Sequence, residues 1–411
     1  MNLGKNIRQD FPMYNENGKY KNVPLHYLDN SATTFKPYPV IKAINNYNYH
    51  MTCNAHRGDY TLAYDVSSAF EKARSEIASF INAKNEEIIF TSSTTMSLNE
   101  LAYMLEDTLL EGDEVVISKQ EHASNVLPWF NLKKRKGIEI KYVDIESDGN
   151  ILPSKLEKVM SSKTKIVSLA SVSNVLGYPL DVKALAKVAH DNNAIYIADA
   201  AQSIAHNKTD VKDLDVDFLC FSGHKMLGPT GIGVLYGKID SLKRLDPVFL
   251  GGEMNARFYS DSTYTLADIP LRFEAGTQNI AGVLGLAAAC SYLNKIGFEN
   301  ISYHELKLKK HLIELLRQNN DVVIYNELSP SGIITFNVKD VFSQDVASYL
   351  STYGIYVRTG THCAKLLPEV IEADTTIRAS LYIYNDIDDV DELATRLKSA
   401  KEDYLNAFFS K

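Results

Sequence analysis

Cysteine is scarce in this chain: four among 411 residues, Cys53, Cys220, Cys290 and Cys363, and no C-x-x-C pair. So few exclude a disulfide framework and point to a reducing compartment, so each cysteine needs its own explanation. Long apolar runs are missing as well. The longest is 280–290, which holds two glycines and is far short of the roughly 20 residues that span a bilayer. Residues 1–22 are polar and lack the apolar stretch of a signal peptide, so a soluble, cytosolic protein with no membrane contact is expected. Basic charge is not in excess either. Lysine plus arginine number 43 against 51 acidic residues, a net charge of −8 with no basic stripe, which excludes a nucleic-acid binder. No internal repeat or low-complexity tract stands out.

What is present is ordinary globular composition, 45% hydrophobic and 23% charged, enough chain for two domains and a large core. Residues 60–82 read as an amphipathic helix, with Leu62, Val66, Phe70, Ala73, Ile77 and Phe80 recurring at three- and four-residue steps. Short apolar runs then alternate with helical stretches. Strands are expected at 87–91, 114–118, 138–143, 165–169, 194–198 and 218–221, with 233–236 beside the last. Helices are expected at 97–111 and 181–192. Continuous apolar strands between helices predict an α/β fold with a mainly parallel sheet covered on both faces. Beyond about residue 293, helices at 301–318 and 388–405 with strands at 322–324, 333–336 and 355–358 predict a smaller α+β domain.

In an open α/β sheet, ligands bind beyond the carboxyl ends of the strands. Four successive strands run out into polar groups there: Glu121-His122, Ser173-Asn174, Asp199 with Gln202, and Ser222-Gly223-His224-Lys225. Taken singly, an Asp at a strand end is most often a cap, a His is satisfied locally and a Lys is solvated. Their convergence on one crevice carries the argument. A lysine on a Gly-containing turn can form a Schiff base with an aldehyde. A buried aspartate can keep a pyridine nitrogen protonated, and an imidazole can stack on the ring. The hydroxyls of Thr91-Ser92-Ser93-Thr94-Thr95, between a strand and a helix, can hold a phosphate. Together these are the parts of a pyridoxal 5'-phosphate site.

The chain also resembles the class V aminotransferase-like, fold-type I pyridoxal-phosphate enzymes, and within them the group II, SufS-type cysteine desulfurases. The matching stretches include Leu28-Asp29-Asn30-Ser31-Ala32, His56-Arg57-Gly58, Glu121-His122, Ser173-Asn174-Val175-Leu176-Gly177, Asp199-Ala200-Ala201-Gln202, Ser222-Gly223-His224-Lys225, Arg272-Phe273-Glu274-Ala275-Gly276-Thr277 and Arg358-Thr359-Gly360-Thr361-His362-Cys363-Ala364. The resemblance implies a large domain with a seven-stranded, mainly parallel sheet at 27–292, an N-terminal segment at 1–26 packing with the small domain, and a small C-terminal domain at 293–411 carrying the cysteine loop. It implies that Lys225 carries the cofactor and that His122 stacks on the ring. Asp199 pairs with the pyridine nitrogen and Gln202 touches the ring hydroxyl. Thr94, Thr95, Ser222 and His224 bind phosphate, joined by Thr277 of the neighbouring subunit of a homodimer. Asn174 and Arg378 orient the substrate with Arg358 close by, and His56 and Arg57 stand near the site.

The cysteines then divide. Cys220 and Cys290, in apolar surroundings, read as core packing. His50, Cys53 and His56 share a helical spacing that could hold a metal, but no fourth ligand is evident and no metal is expected. Cys363 follows Arg358 and His362 in a short polar loop, where both could favour its thiolate. The resemblance makes Cys363 the sulfur acceptor in a conversion of L-cysteine to L-alanine. The persulfide then passes to a SufE-like or SufU-like protein for iron–sulfur cluster assembly. Met96 stands where close relatives have Glu, Ser93 and Ala200 where they have Gly, and Thr361 where a second His is frequent. A selenocysteine lyase on the same scaffold, an aminotransferase or kynureninase-like lyase, and a non-catalytic assembly scaffold are the alternatives. The thiol-bearing loop and the joint presence of Lys225, Asp199, His122 and Cys363 weigh against the last two.

Overall fold

The computed structural model describes residues 3–14, 18–56 and 58–409. Its main sheet has seven strands: β1 (Ile88–Thr91), β2 (Glu114–Ser118), β3 (Glu139–Val143), β4 (Thr164–Ala170), β5 (Ile195–Asp199), β6 (Phe218–Ser222) and β7 (Gly233–Gly237). Their spatial order is β1-β7-β6-β5-β4-β2-β3. All run parallel except β7, which pairs antiparallel with both β1 and β6. This is the fold-type I arrangement expected from the sequence.

Successive side chains of these strands go to opposite faces, and both faces are buried. Val116, Val167, Tyr196, Ala198, Leu219 and Phe221 enter one core with helices α1 (Tyr38–His50) and α2 (Thr61–Phe80); Val40 comes from α1, and Val66, Phe70, Ala73 and Ile77 form the inner stripe of α2. Val115, Ile117, Ile197, Phe218 and Cys220 enter the other with helices α3 (Thr94–Leu105) and α4 (Leu127–Lys136). Cys220 and Cys290 are both fully buried, as expected of packing cysteines.

The second sheet is antiparallel, with β8 (Val322–Ile324), β9 (Ile333–Val338), β10 (Arg358–Gly360) and β11 (Thr376–Ser380) in the order β8-β9-β11-β10. Helices Phe298–Leu316, Ser343–Thr352 and Ile387–Phe409 accompany it, and Leu308, Leu312, Ile334, Phe336, Leu350 and Leu393 form its core. The single strand expected at 355–358 is two pieces. Ile355–Tyr356 pairs in parallel with His26–Tyr27, whereas Arg358–Gly360 turns to β11.

The expected boundary at 292/293 falls within a helix. Both residues lie inside helix Ile280–Ile296, and Leu293 and Ile296 pack into the large-domain core. The chain breaks direction at Gly297, whose φ of 85° a side chain would strain. Near the N-terminus, Arg8 donates to Asp389 (2.6 Å) and to the Tyr384 carbonyl (2.8 Å), and Phe11 lies edge-on to Tyr292 and Tyr384. Among the described residues, no single helix is long and apolar enough to cross a membrane, and no cluster of His, Cys, Asp or Glu could hold a metal ion.

Candidate active site

Parallel strands end on one edge of a sheet, and the strand order decides which loops become neighbours. β2, β4, β5 and β6 are consecutive or nearly so, and their ends deliver His122, Asn174, Asp199 and Lys225 to one cavity of about 220 Å³. Helix α3 starts beside it, with Ser93 as N-cap accepting from the Met96 amide at 3.2 Å. The small domain closes the other side with Arg358, His362, Cys363 and Arg378. Of the residues expected from the sequence, Thr94, Thr95, His122, Asn174, Asp199, Gln202, Ser222, His224, Lys225, Arg358, Cys363 and Arg378 all line this cavity.

Others do not. Thr277 lines a separate groove with Phe90, Glu100 and Phe249. His56 sits 3.4 Å from Glu71 with its ring edge-on to Phe70, away from its own chain's cavity. Arg57 lies outside the described residues. Met96 lines the outer groove beside Phe249, so the departure there touches no wall of the cavity.

Buried charges set the electrostatics. Burial pushes the Lys225 amine down to about 8, with Arg378 and Arg358 adding to the effect and Asp199 opposing it. Asp199 is raised by its own burial, while the Ala201 amide (2.9 Å) and Lys225 pull the other way. Burial, then Lys225, Arg378 and Arg358, lower His122 to about 4. Its Nδ1 accepts from the Ser124 amide at 3.1 Å; an amide can only donate, so the ring proton is on Nε2. His224 is likewise lowered to about 4 by burial, Lys225 and Lys36.

At the α3 end, Ser222 Oγ takes the Thr94 amide (2.7 Å) and faces Thr94 Oγ1 (2.8 Å), and Thr95 Oγ1 faces Ser124 Oγ (2.7 Å). Amides and hydroxyls at a helix N-terminus suit a phosphate. Opposite, Arg378 is almost wholly buried. It donates to the Asn174 carbonyl (2.8 Å) and Asp29 (3.0 Å), and its Nε has no partner among the described residues. Arg358 is exposed and close enough to disfavour the Arg378 charge. Two neighbouring guanidiniums on one wall of the cavity suit a carboxylate.

Cys363 is fixed from two sides. Its carbonyl accepts from the Ala123 amide at 2.8 Å, one residue past His122, and the His362 carbonyl accepts from Asn174 Nδ2 at 2.7 Å. Ala364 packs with Val175, Leu176 and Leu367. His362 does not bring the positive charge expected of it. Burial, with Arg378 and Arg358, lowers it to about 3, and its Nε2 meets Thr376 Oγ1 at 2.9 Å. Asp29, quoted within a matching stretch but given no role there, and Ser124, two residues beyond His122, were not expected at the site. Only contact, not spacing, reveals them.

The lysine, the buried carboxylate, the neutral imidazole and the hydroxyl-lined helix end are the donors that pyridoxal phosphate requires, so the residues fit that group. A family model described as aminotransferase class-V matches residues 26–393. A probable cysteine desulfurase of Halalkalibacterium halodurans is 42% identical over 404 residues, covering 98% of this chain and 99% of that protein. Another, from Staphylococcus aureus, is 42% identical over 408 residues, covering 98% of each. The apo structure of cysteine desulfurase from Thermococcus onnurineus aligns with a TM-score of 0.91 at 37% identity, covering 97% of this chain and 98% of that one. The S-sulfonic acid form of the cysteine desulfurase CsdA from Escherichia coli aligns at 0.89 and 31% identity over the same shares.

Proposed function

The chain belongs to the class-V aminotransferase family and is a pyridoxal 5'-phosphate-dependent cysteine desulfurase, and we propose that it draws the sulfur of L-cysteine onto Cys363 as a persulfide, leaving L-alanine. The single observation that carries this is that Cys363 lines the same cavity as Lys225 and Asp199, with its backbone tied beside His122.

When bound, the cofactor supplies an electron sink for the pair left at the substrate Cα and so weakens the Cβ–S bond. Lys225 tethers it. Once displaced, its amine moves the Cα proton, a role its lowered affinity for protons suits. Asp199 keeps the ring nitrogen protonated, while Thr94, Thr95, Ser222 and His224 hold the phosphate and Gln202 the ring hydroxyl. Arg378 and Arg358 take the substrate carboxylate, with Asn174 orienting it. His122, neutral, presents its Nε2–H to the cavity as a hydrogen-bond donor. The Cys363 sulfur attacks the substrate sulfur: an S–S bond forms, the Cβ–S bond breaks, and its electron pair goes to Cβ, which gains one proton while the Cα proton is returned, giving alanine.

A cysteine loop pinned by the Ala123 and Asn174 bonds cannot swing far. That supports a SufS-type, short-loop enzyme whose acceptor comes to the sulfur. The acceptor is a SufE-like or SufU-like protein that feeds iron–sulfur cluster assembly in a reducing cytoplasm. The position of Thr277 and His56 outside their own chain's cavity supports a homodimer in which Thr277, His56 and Arg57 serve the partner's site. Mass spectrometry after exposure to L-cysteine tests the core of this. One added sulfur is expected on the Cys363 peptide. In Cys363→Ala, sulfide release should fall by at least about two orders of magnitude with bound cofactor retained. Full activity in Cys363→Ala would remove the nucleophile from the scheme.

A further inference from the structure

The carbonyls of three consecutive residues after Ser173 are each taken by a different small-domain side chain. Arg378 Nη1 donates to the Asn174 carbonyl at 2.8 Å, Thr335 Oγ1 to the Val175 carbonyl at 2.6 Å, and Asn326 Nδ2 to the Leu176 carbonyl at 2.9 Å. Thr335 and Arg378 are direct register partners across β9 and β11, so two adjoining strands present two adjacent donors. Arg378, Thr335 and Asn326 are all at most 2% exposed.

Asn326 is itself fixed on every side. Its Nδ2 also donates to the Ile333 carbonyl (2.9 Å), and its Oδ1 accepts the Thr335 amide (2.8 Å). Behind it, the buried Lys309 ammonium donates to the carbonyls of Asn326 (3.1 Å), Ser329 (2.7 Å) and Ile333 (2.9 Å). The large-domain segment ends at Gly177, at φ 70°, where a Cβ would stand 2.4 Å from Ser331 Oγ. The two domains therefore touch here at backbone distance, with little room to slide.

We infer that Thr335 and Asn326, braced by Lys309, are positioning residues that set Asn174 against the substrate and, through its bond to the His362 carbonyl, hold the Cys363 loop in place. This rests on the reading of Asn174 and Cys363 given above. Neither Thr335 nor Asn326 lines the cavity, so each acts through Asn174. Without Asn326 the Leu176 carbonyl loses its side-chain partner, and without Thr335 the Val175 carbonyl keeps only the long 3.5 Å contact from Asn326 Nδ2, so in either case the segment is freer to shift.

The test uses the holoenzyme with Thr335→Val, Thr335→Ser and Asn326→Ala, and Leu312→Val as a small-domain core control. Four quantities are read: bound-cofactor absorbance, melting temperature, kcat and KM for L-cysteine, and the rate at which iodoacetamide alkylates Cys363. Thr335→Val should keep the cofactor and raise KM about tenfold, the size of one buried hydrogen bond left unmade. It should also speed alkylation severalfold, and Thr335→Ser should restore both. Asn326→Ala should do the same more strongly, and Leu312→Val should lower only the melting temperature. A lowered melting temperature with KM and alkylation unchanged in Thr335→Val would overturn the inference. Absence of a persulfide in the wild type would instead overturn the activity reading, and the alkylation rates would still judge the clasp.

Discussion

His122, His224 and His362 stay neutral at ordinary pH because each is buried near cations. For His122 the folded value near 4 lies below the ordinary 6.5, so between those values the unfolded chain holds the proton more tightly. Its contribution to stability is whole above about pH 6.5 and is lost as pH falls toward 4. The imidazole of His122 should show no titration between about pH 5.5 and 8 by NMR of ¹⁵N-histidine protein. A midpoint near 6.5 would contradict the burial argument. Lys225 is lowered to about 8, so the free amine becomes the majority form above that pH. After the cofactor is stripped, the rate of reloading should climb through about pH 8 and level off beyond it. A climb centred near the ordinary lysine value would mean that Lys225 is not desolvated.

At the scale of elements, the cofactor end of α3 depends on how closely β7 passes beneath it. A Cβ on Gly233 would lie 2.6 Å from Ser93 Cα and 2.9 Å from the Phe221 carbonyl, backbone atoms that cannot rotate away. Gly233→Ala should cost about 1–3 kcal/mol in urea unfolding and loosen cofactor retention. Wild-type values for both would show that α3 can move freely. Helix α2 is joined to the segment before Thr277 by a buried pair. Arg74 meets Glu274 twice at 2.8 Å, and Glu274 also accepts the Phe90 amide. Arg74→Met leaves that carboxylate unpaired and should cost about 3–5 kcal/mol, much of it regained in Arg74→Met with Glu274→Gln. Denaturation midpoints of the two variants measure this. A small loss in the single variant would mean that water reaches the pair.

For the whole molecule, the proposed homodimer raises the question of which chain completes which site. If Thr277 serves the partner's cavity, Lys225→Ala and Thr277→Ala chains co-expressed in equal amounts form hybrids with one intact site. Roughly a quarter of wild-type activity should then return, as random pairing of two-fold dimers gives. If Thr277 serves its own chain, no hybrid site is whole and activity stays at the level of the mixed parents.

The sheet was legible in the sequence because β5 and β6 carry unbroken apolar runs before their polar ends and β4 is mostly apolar, and a strand buried on both faces has little polar alternation to blur it. Lys225, Asp199 and Cys363 were legible because their chemistry is concentrated in short, unusual motifs. Strand Thr376–Ser380 was not. Its polar letters conceal a fully buried strand whose central Arg378 exists to be used. The polar helices Tyr38–His50 and Ser343–Thr352 escaped for a similar reason, each having few buried positions to set a period. By itself, then, the sequence determined the fold class and singled out Lys225 and Cys363 for the roles proposed above, since these rest on local hydrophobic pattern and residue chemistry. Only the tertiary structure decided that His362 is uncharged, that Thr277 and His56 stand outside the cavity, and that Asn326, Thr335 and Lys309 brace the segment after Ser173. Those outcomes depend on burial and on tertiary contacts such as Thr335 to Val175 and Asn326 to Leu176, 160 and 150 positions apart, which no spacing along the chain encodes.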